Sequence, residues 1–321
     1  MAGTVTVIGS YNQDFIWRTD HFPVPGETRL GSFSTGPGGK GSNQAIAAAR
    51  QGARVCFIAA LGRDAIGEQA AALARTEGID ARWQWCADQP SGNAAIVLDA
   101  SGQNLIIVGS GANLALSVAH IEAHAQAIES AGIVLVQHEV SPAASRRALE
   151  LARAAGVATM LNPAPPLAAE DGALLPLLDL ITPNETEFAH LLDRCAGITV
   201  AADQVAQLPD AELHGLARRL GPASLVLTLG AAGAFVSHGE RARWPDRAAC
   251  YRVAAERVSV LDTTGAGDAF SGSLAAGLAE SADAPFHKAV AHANRVAGLA
   301  TERHGAALAI PGRAQVRERF A

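Results

Sequence analysis

Short apolar runs alternate along this chain with longer stretches of helical character, and no other feature constrains the fold as much. Six runs have the character of strands buried on both faces: "TVTVIG", "ARVCFIAALG", "GIVLVQ", "VATMLN", "LDLITP" and "SLVLTLG". Three intervening stretches have helical composition, and the last opens with Ser-Pro and closes with Gly: "SNQAIAAARQG", "DAIGEQAAALARTEG" and "SPAASRRALELARAAG". A repeated strand–helix–strand order predicts an α/β fold with a mostly parallel sheet covered by helices.

The length of the chain is compatible with one domain or two. Its 321 residues are 49% hydrophobic and 17% charged, so the chain can bury a large core without a metal or a disulfide. Chains of α/β type and this length often form one continuous sheet, and no tandem repeat or low-complexity linker divides this one. We therefore predict a single domain over residues 1–321.

Two stretches interrupt the strand–helix rhythm, residues 12–35 and residues 81–110. In the second, three apolar segments follow one another with only turn residues between them: "ARWQWCA", "NAAIVLD" and "QNLIIVG". This pattern favours antiparallel hairpins. We expect a small β-sheet that stands off the main one as a lid over a site, with an edge extension of the main sheet as the alternative.

The charge of the chain argues against a nucleic-acid partner. The net charge is −6, the isoelectric point is near 5.9, and the basic residues are scattered among acidic ones. The first ten residues lack the basic region of a signal peptide, and no uninterrupted apolar run of about 18 residues could span a bilayer. These features predict a cytoplasmic protein with no membrane partner.

Cysteine and histidine spacing gives no clear metal site. Four cysteines are far apart, with no C-x-x-C pair, and are expected to be reduced and mostly in the core: Cys56, Cys86, Cys195 and Cys250. His120 and His124 have the spacing of a metal pair on a helix, but the flanking sequence supplies no further ligand. A solvated helix face is the favoured interpretation of this pair.

Ligands of parallel α/β sheets bind at the carboxyl ends of the strands, so the residues just after each apolar run are candidates for a site. Polar or glycine-containing segments follow five of the six runs and one further apolar run, "RVSVL": Asn12 with Asp14, Glu139, Asn162, "NETE" at 184–187, Gly233, and, after "RVSVL", "LDTTGAGD" at 261–268. Any one of them fits a cap or a turn. All six together predict a ligand site at this edge.

Two nucleotide motifs must be considered and rejected. "GPGGKG" at 36–41 fits G-x-G-x-x-G, but a dinucleotide fingerprint belongs to the first strand-to-helix turn, and these glycines arrive about 27 residues late. A Walker A motif also fails, because Gly41 follows Lys40 where Ser or Thr should hold magnesium, and Ser34 stands at the upstream glycine position.

The "TGAGD" loop at 264–268 has the chemistry of a phosphoryl-transfer site. Backbone N–H groups at a helix N-terminus bind anions, so Gly265, Ala266 and Gly267 would donate to the transferring phosphoryl group. The helix dipole favours the charged form of Asp268, which could orient an attacking hydroxyl and take its proton as catalytic base. The alternative is an acidic first-turn residue that only stabilises the helix.

Two longer motifs resemble the signature regions of a known family. "GGKGSNQA" at 38–45 and "DTTGAGDAFSG" at 262–272 are similar to those of the ribokinase-like (PfkB) sugar kinases. Four further segments agree with the family in order: "FPVPGET" at 22–28, "LNPAP" at 161–165, "ITPNETE" at 181–187 and "LTLGAAG" at 227–233. The resemblance implies a ribokinase-like three-layer α/β/α fold with a central mostly parallel sheet and a small β-sheet lid.

The resemblance also implies a reaction, ATP-dependent phosphorylation of D-ribose to D-ribose 5-phosphate. Six residues match positions that hold the sugar hydroxyls: Asn12, Asp14, Gly39, Lys40, Asn43 and Glu139. Asp268 matches the catalytic base, which also contacts the sugar. Six residues match the nucleotide side: Asn184, Thr228, Gly230, Gly233, Gly267 and Asn294.

Two cations are implied by the same resemblance, Mg²⁺ and a monovalent cation, usually K⁺. Glu187 matches a magnesium-linked position that acts through water, although Asn184 and Glu187 also have the spacing of a helix capping box. Five residues match the K⁺ site: Asp262, Thr264, Ala300, Arg303 and Gly305. The chain departs from the pattern at Ala309, where the family has serine, so one oxygen is missing.

A second departure leaves the substrate open. Asn93 stands where an apolar residue is expected to face the sugar, so the alternatives are another small sugar, such as 2-deoxyribose or fructose, or a nucleoside. A non-catalytic sugar-binding protein on the same scaffold is disfavoured by the intact Asp268 and glycine loop. The resemblance also implies a homodimer that pairs through the lid sheets.

Overall fold

A computed structural model of the chain describes residues 3–166, 171–244, 246, 248–280 and 284–321. Thirteen strands lie in these residues: β1 (Thr4–Ile8), β2 (Asn12–Arg18), β3 (Ser32–Gly38), β4 (Arg54–Gly62), β5 (Asp80–Cys86), β6 (Gly92–Leu98), β7 (Asn104–Gly109), β8 (Ile133–Val136), β9 (Ala158–Leu161), β10 (Leu180–Ile181), β11 (Ser224–Thr228), β12 (Ala234–His238) and β13 (Cys250–Val253).

Helices occupy most of the connections between these strands. Twelve α-helices lie in the same described residues: α1 (Lys40–Arg50), α2 (Ala65–Thr76), α3 (Val118–Ala123), α4 (Ala125–Glu129), α5 (Pro142–Ala154), α6 (Asp171–Leu174), α7 (Glu185–Leu191), α8 (Ala202–Val205), α9 (Asp210–Leu220), α10 (Ala266–Glu280), α11 (Phe286–Ala300) and α12 (Arg313–Arg319). The three helices predicted from the sequence correspond to α1, α2 and α5.

The main sheet has the order β13-β12-β11-β10-β9-β8-β1-β4-β5 within the described residues. The run from β11 to β5 is parallel throughout, as the strand–helix alternation predicts. β12 and β13 continue the sheet as antiparallel strands at one edge. The apolar run "RVSVL" forms no strand, since residues 254–260 have no regular secondary structure.

Both faces of the main sheet are covered by helices. Successive residues of a strand point to opposite faces, so alternate side chains of β1 and β8 enter two different cores. Val7 and Leu135 pack with apolar residues of α1, α10 and α11, whereas Ile8 and Val136 pack with residues of α5, α7 and α9. The predicted three-layer α/β/α architecture is confirmed.

A separate sheet has the order β3-β2-β6-β7 and is called the lid below. β2 pairs antiparallel with β3 and β6 pairs antiparallel with β7, but β2 and β6 are parallel. The predicted small sheet is therefore present, although it is mixed rather than made only of antiparallel hairpins. β3 also extends to Gly38, beyond the predicted limit at residue 35.

The tryptophan-containing segment "ARWQWC" is not part of the lid. It forms β5, which pairs in parallel with β4 at the edge of the main sheet, with Phe57 opposite Ala81. The crossover through α2 returns the chain to the sheet, and the Trp83 ring packs edge-on against Phe57 with centroids 5.4 Å apart. The lid prediction is wrong for this segment, and the edge-extension alternative is correct for it.

The lid register also corrects the expected position of Asn93. Asp14 lies opposite Ala94 in the pairing of β2 with β6, and Gln13 lies opposite Asn93. Side chains alternate along a strand, so Asn93 points to the opposite face of the lid from Asp14. Ala94, a small apolar residue, occupies the face that carries Asp14.

The cysteines are less buried than the sequence predicts. The four cysteines form no disulfide, and Cys56 is buried, but the other three are only half-buried. No helix in the described part of the chain is both long enough and apolar enough to cross a membrane.

Candidate active site

The carboxyl ends of five strands and the start of α10 converge at one edge of the main sheet. A cleft of about 150 Å³ opens there. Eight residues predicted from the sequence line it: Lys40, Asn162, Asn184, Glu187, Thr228, Gly265, Gly267 and Asp268. The motifs that lie more than 200 residues apart in the sequence are thus brought to one place.

Asp268 lies in the first turn of α10 and is 6% exposed. Its carboxylate accepts one hydrogen bond at each oxygen, from Asn43 Nδ2 to Oδ2 and from Gln44 Nε2 to Oδ1, both at 2.9 Å. Gly272 makes this approach of α1 and α10 possible, because a Cβ there would lie 2.2 Å from the Gln44 carbonyl oxygen. The orientation of the carboxylate is therefore fixed by α1.

The two glycines before and within the first turn of α10 have different roles. Gly265 has φ +76°, and a Cβ there would lie 2.9 Å from Ala306 Cβ, so the turn itself requires glycine. A Cβ at Gly267 would meet no atom within 4 Å. The Ala266 N–H donates to the Thr263 carbonyl at 3.2 Å, so one of the three predicted donors to phosphoryl oxygens is engaged within the turn.

Glu139 ties the start of α1 to the ends of β1 and β8. Its Oε2 accepts a hydrogen bond from the Lys40 N–H at 2.9 Å and a second from Ser10 Oγ. The Gly41 N–H donates to Ser10 Oγ at 3.3 Å, and a Cβ at Gly41 would lie 2.4 Å from the Ser10 nitrogen. Glycine in "GGKGS" is thus needed for close packing of α1 on β1 as well as for the turn at Gly39, where φ is +86°.

Three carboxyl groups act electrostatically on the Lys40 ammonium group, and a fourth, Asp14, interacts with two of them. Burial lowers the pKa of Lys40, but Asp268, Glu139 and Glu187 outweigh it and leave that pKa above its ordinary value. Burial, together with Glu139 and Asp268, raises the pKa of Asp14 to about 6. Burial also raises the pKa of Glu187 to about 7. Carboxyl groups grouped in this way can accept hydrogen bonds from the hydroxyl groups of a polar ligand.

A buried asparagine that the sequence did not single out positions Asn12. Asn113 donates through Nδ2 to Asn12 Oδ1 at 2.9 Å and to the Tyr11 carbonyl at 3.0 Å, and accepts from the Tyr11 N–H at 3.1 Å. A Cβ at Gly92 would lie 2.2 Å from Asn113 Nδ2, so the lid strand β6 passes directly over it. Asn113 lies shortly after the last lid strand, β7, in a segment that has no recognisable sequence motif.

A larger cleft of about 700 Å³ separates the lid from the body of the protein. Asp14 and the apolar side chains of Ile96 and Ile106 line it on the lid side. Asp262 and Gly305 line it on the other side. The lid side of this cleft thus combines apolar side chains with polar and charged ones, among them Asp14, Arg18 and Asp99.

The residues predicted for the nucleotide side divide into two groups. Asn184 and Glu187 form the capping box of α7, with Asn184 N–H and Nδ2 donating to Glu187 at 2.9 and 3.0 Å. Both face the small cleft with Thr228, whose N–H donates to the Pro183 carbonyl at 2.9 Å. The capping interpretation is therefore correct, and it places both side chains at the site.

The second group supports the antiparallel edge of the sheet. Gly233 has φ +90°, and a Cβ there would lie 2.1 Å from the Val253 carbonyl oxygen. Asn294, which is 8% exposed, donates through Nδ2 to the carbonyls of Val253 and Ala254 at 3.2 and 3.4 Å. Gly230, with φ +51°, belongs to the turn that precedes Gly233. These residues hold the segment that follows β13, outside the small cleft.

The residues predicted for K⁺ lie on two adjacent loops. Asp262 accepts from the Thr264 N–H at 2.9 Å and from the Gly305 N–H at 3.0 Å, and these bonds hold the pKa of Asp262 below its usual value although burial opposes them. Ala300 ends α11, and its carbonyl accepts from the Arg303 N–H at 3.3 Å. One carboxylate among backbone carbonyls is the kind of oxygen donor set that a hard cation requires.

Three buried side chains form hydrogen bonds behind Asp268, and only Asn162 was among the candidates from the sequence. Gln44 lies within the "GGKGSNQA" motif, Gln137 directly follows β8, and Asn162 directly follows β9. All three belong to one hydrogen-bonded chain, which is described below. Their positions at the ends of strands, or within a motif, were the available signals.

Comparison with known proteins decides the class of this enzyme. A sequence model of the pfkB family carbohydrate kinases matches residues 2–313. The chain belongs to this family. The ribokinase of Haemophilus influenzae is 35% identical over 320 residues, which cover 99% of this chain and 98% of that protein. A deoxyribokinase of Salmonella typhi is 32% identical over 293 residues, covering 89% of this chain and 90% of the other.

Solved structures of other pfkB-family kinases share the fold of this one. The ribokinase of Giardia lamblia superposes with a TM-score of 0.87 at 27% identity, covering 100% of this chain and 99% of that chain. The Arabidopsis thaliana ribokinase, complexed with ribose and ATP, superposes with a TM-score of 0.84 at 27% identity, covering 99% of this chain and 98% of that chain. The predicted ribokinase-like fold and the predicted carbohydrate kinase class are both confirmed.

Proposed function

We propose that this pfkB-family kinase transfers the γ-phosphoryl group of ATP to the 5-hydroxyl of D-ribose, giving D-ribose 5-phosphate and ADP. The observation that carries the proposal is the position of Asp268, buried at the start of α10 and held at both carboxylate oxygens by α1. The full-length similarity to ribokinases supports ribose as the acceptor and ATP as the donor.

In the proposed mechanism Asp268 acts as the base. Its carboxylate orients the sugar hydroxyl and accepts the proton while the new O–P bond forms and the bond between the β- and γ-phosphates breaks, so that ADP leaves. The open space at Gly267 admits the phosphoryl group to the N-terminus of α10, where the backbone and the helix dipole stabilise the developing charge. Gly265 and Ala266 shape this turn.

The sugar would bind between the lid and the start of α1. Asn12 and Asp14 come from β2, and Gly39, Lys40 and Asn43 come from the turn and helix that follow β3. Glu139 completes the set from the end of β8 and is already fixed by the Lys40 N–H. Carboxylates, amides and an ammonium group supply both the acceptors and the donors that a polyhydroxylated ligand requires.

The residues present fit the two predicted cations. Both oxygens of Glu187 already accept hydrogen bonds from Asn184, which suits contact with Mg²⁺ through water rather than direct ligation. Bound Mg²⁺ would offset the charge of the ATP phosphates. Asp262 and the carbonyls of the two loops next to it would hold K⁺, with Ala309 contributing no side-chain oxygen.

The outer face of the lid supports the proposed homodimer. Two cross-strand rows of apolar residues lie on this face: Trp17, Phe33, Val97 and Leu105 in one row, and Phe15, Ala95 and Ile107 in the next. Phe33 is 54% exposed and Ile107 is 75% exposed. A four-stranded sheet with an apolar outer face gains stability when a second copy covers it.

The cytoplasmic location also remains a proposal.

A coupled ADP-release assay tests the proposed substrate. With ATP and Mg²⁺, with and without K⁺, D-ribose is expected to give a higher kcat/KM than 2-deoxyribose, fructose or adenosine. A higher kcat/KM for 2-deoxyribose would assign the chain to the alternative that its similarity to deoxyribokinases favours. Binding of ribose without turnover of any acceptor would instead support the non-catalytic alternative.

A further inference from the structure

A chain of three amide side chains ends at Asp268. Gln137 Nε2 donates to Gln44 Oε1 at 2.6 Å, and Gln44 Nε2 donates both to Asp268 Oδ1 at 2.9 Å and to Asn162 Oδ1 at 3.0 Å. Asn162 Nδ2 in turn donates to the Thr182 carbonyl at 3.0 Å. Four elements of the sheet and its helices thus meet behind one carboxylate.

The Thr182 carbonyl sets the direction of every bond in this chain. A backbone carbonyl can only accept, so Asn162 must present its NH₂ to Thr182 and its oxygen to Gln44. Gln44 must then present its NH₂ to Asn162 and to Asp268, which leaves its oxygen for the NH₂ of Gln137. Rotation of the Gln44 amide by 180° would place its oxygen against two acceptors.

One acceptor oxygen in this chain of amides is left without a hydrogen bond. Gln137 Oε1 is buried and has no hydrogen-bond partner among the described residues. A Cβ at Gly9 would lie 2.2 Å from that oxygen, so the glycine before Ser10 leaves room for the Gln137 side chain. Burial of an unsatisfied acceptor opposes folding, and here it accompanies an N–H group held toward Asp268.

We propose that Gln44 is a positioning residue for the base, because its N–H, fixed in direction by Asn162 and Thr182, holds the Asp268 carboxylate in one orientation. This inference rests on the proposed role of Asp268. Gln44 is completely buried and does not line the cleft, so it acts on the reaction only through Asp268.

The other charged groups near Asp268 come from different elements and do not duplicate this contact. Lys40 from α1, Glu139 from the end of β8, Asp14 from the lid and Glu187 from α7 all interact electrostatically within this group. Three of these four are carboxyl groups, which cannot donate a hydrogen bond when they are ionised. The hydrogen bonds that fix the orientation of Asp268 are therefore those from the amides of Asn43 and Gln44.

Two variants separate positioning from packing. Gln44→Met keeps the approximate shape and removes the donor, so we expect kcat to fall about 10- to 100-fold while the KM values for sugar and ATP stay within about threefold. Gln44→Glu keeps the size and places an acceptor against Asp268. We expect the acid side of its kcat–pH profile to move upward by about one pH unit.

Gln51→Met is the matched control. Gln51 is also buried and bonded at both amide atoms, to the Pro311 carbonyl and to His292, but it lies away from the cleft. Its variant should lose thermal stability with kcat and the pH profile unchanged. If Gln44→Met does not fold, Gln44→Glu carries the test, and a parental kcat and pH profile in that variant overturn the inference.

Asp268→Asn, measured in parallel, distinguishes the proposed role of Asp268 as base from the proposed positioning role of Gln44. Parental activity in Asp268→Asn would remove the proposed base itself. Loss of activity in Asp268→Asn with parental behaviour of the Gln44 variants would keep the base and reject the positioning role.

Discussion

The Lys40 N–H and Glu139 Oε2 lie 2.9 Å apart, a contact that fastens the first residue of α1 to the segment after β8. The same helix supplies Asn43 and Gln44 to Asp268 one turn later. The proposed sugar-binding residues and the proposed base are therefore positioned by one rigid element. Different atoms of α1 contact Glu139 and Asp268. We therefore expect substitutions among the proposed sugar-binding residues and substitutions at the proposed base to have separately measurable effects.

Asp268→Asn should lower kcat about 10²- to 10⁴-fold, since an amide cannot accept the hydroxyl proton. The KM for sugar should change little. Asp210→Asn is the control, because Asp210 is an acidic first-turn residue of α9, far from the cleft, and its variant loses a first-turn charge and an ion pair with Arg252 without touching the site. Steady-state kinetics with thermal melts measures both effects, and equal kinetics in the two variants would contradict the proposed base.

Gly267→Ala should fold normally and lose about 10²-fold in kcat. An added Cβ at Gly267 meets no protein atom within 4 Å, so it occupies the space that the phosphoryl group needs. Gly215→Ala in α9 is equally free of contacts and should raise stability by about 1 kcal/mol with no effect on kcat. Full activity in Gly267→Ala would show that phosphate does not approach this turn.

Asp14→Asn should stabilise the protein at neutral pH while it weakens sugar binding. Burial raises the pKa of Asp14 from 3.8 to about 6, so between about pH 4 and pH 6 the folded state binds more protons than the unfolded state. Stability falls as pH rises through that window, and the asparagine variant escapes the loss, which is about 1 to 3 kcal/mol at pH 7. Melting curves at pH 4 and pH 7 measure the difference. A variant less stable than the parent at pH 7 would refute the argument.

Asp262→Ala should abolish activation by K⁺, because the carboxylate that joins the two loops is lost. Ala309→Ser should lower the K⁺ concentration for half-maximal activation, since it supplies the missing oxygen. Titration of kcat with KCl at constant ionic strength, with NaCl as the balancing salt, gives both constants. An unchanged or higher K⁺ requirement in Ala309→Ser would count against a site at this position.

Phe33→Glu should convert the proposed dimer into a monomer, because it places a charge in the apolar row that joins Trp17 and Leu105 on the outer face of the lid. Leu30→Glu is the control, since Leu30 is 96% exposed but lies in the loop between β2 and β3. Sedimentation velocity at several concentrations distinguishes the states. A parent that sediments as a monomer would refute the dimer.

The fold could be predicted largely from local pattern. Strand–helix alternation predicted the parallel part of the sheet, and glycine-rich motifs predicted both ends of the site. "ARWQWC" was assigned to the lid because periodicity does not show which partner a strand takes, and the α2 crossover decided that pairing. Asn93 was assigned to the wrong face for a related reason, since its direction depends on the register with β2.

The site was predicted less completely than the fold. Residues within motifs, such as Lys40 and Asp268, do meet in the cleft. Asn113 contacts Asn12 and Gln137 contacts Gln44 from distant parts of the chain, and a single buried amide has no sequence pattern of its own. Side-chain contacts between elements that are more than 90 residues apart in the sequence could not be predicted without the tertiary structure.

Gly39 is the only residue between the lid strand β3 and α1. No loop is available there to absorb a change in lid angle. Any tilt of the lid that does not deform the strand must be taken up at that single pivot, and it is transmitted at once to the amide that meets Glu139. A ligand that changes the angle of the lid would therefore also shift α1, the helix that carries Asn43, through one peptide unit.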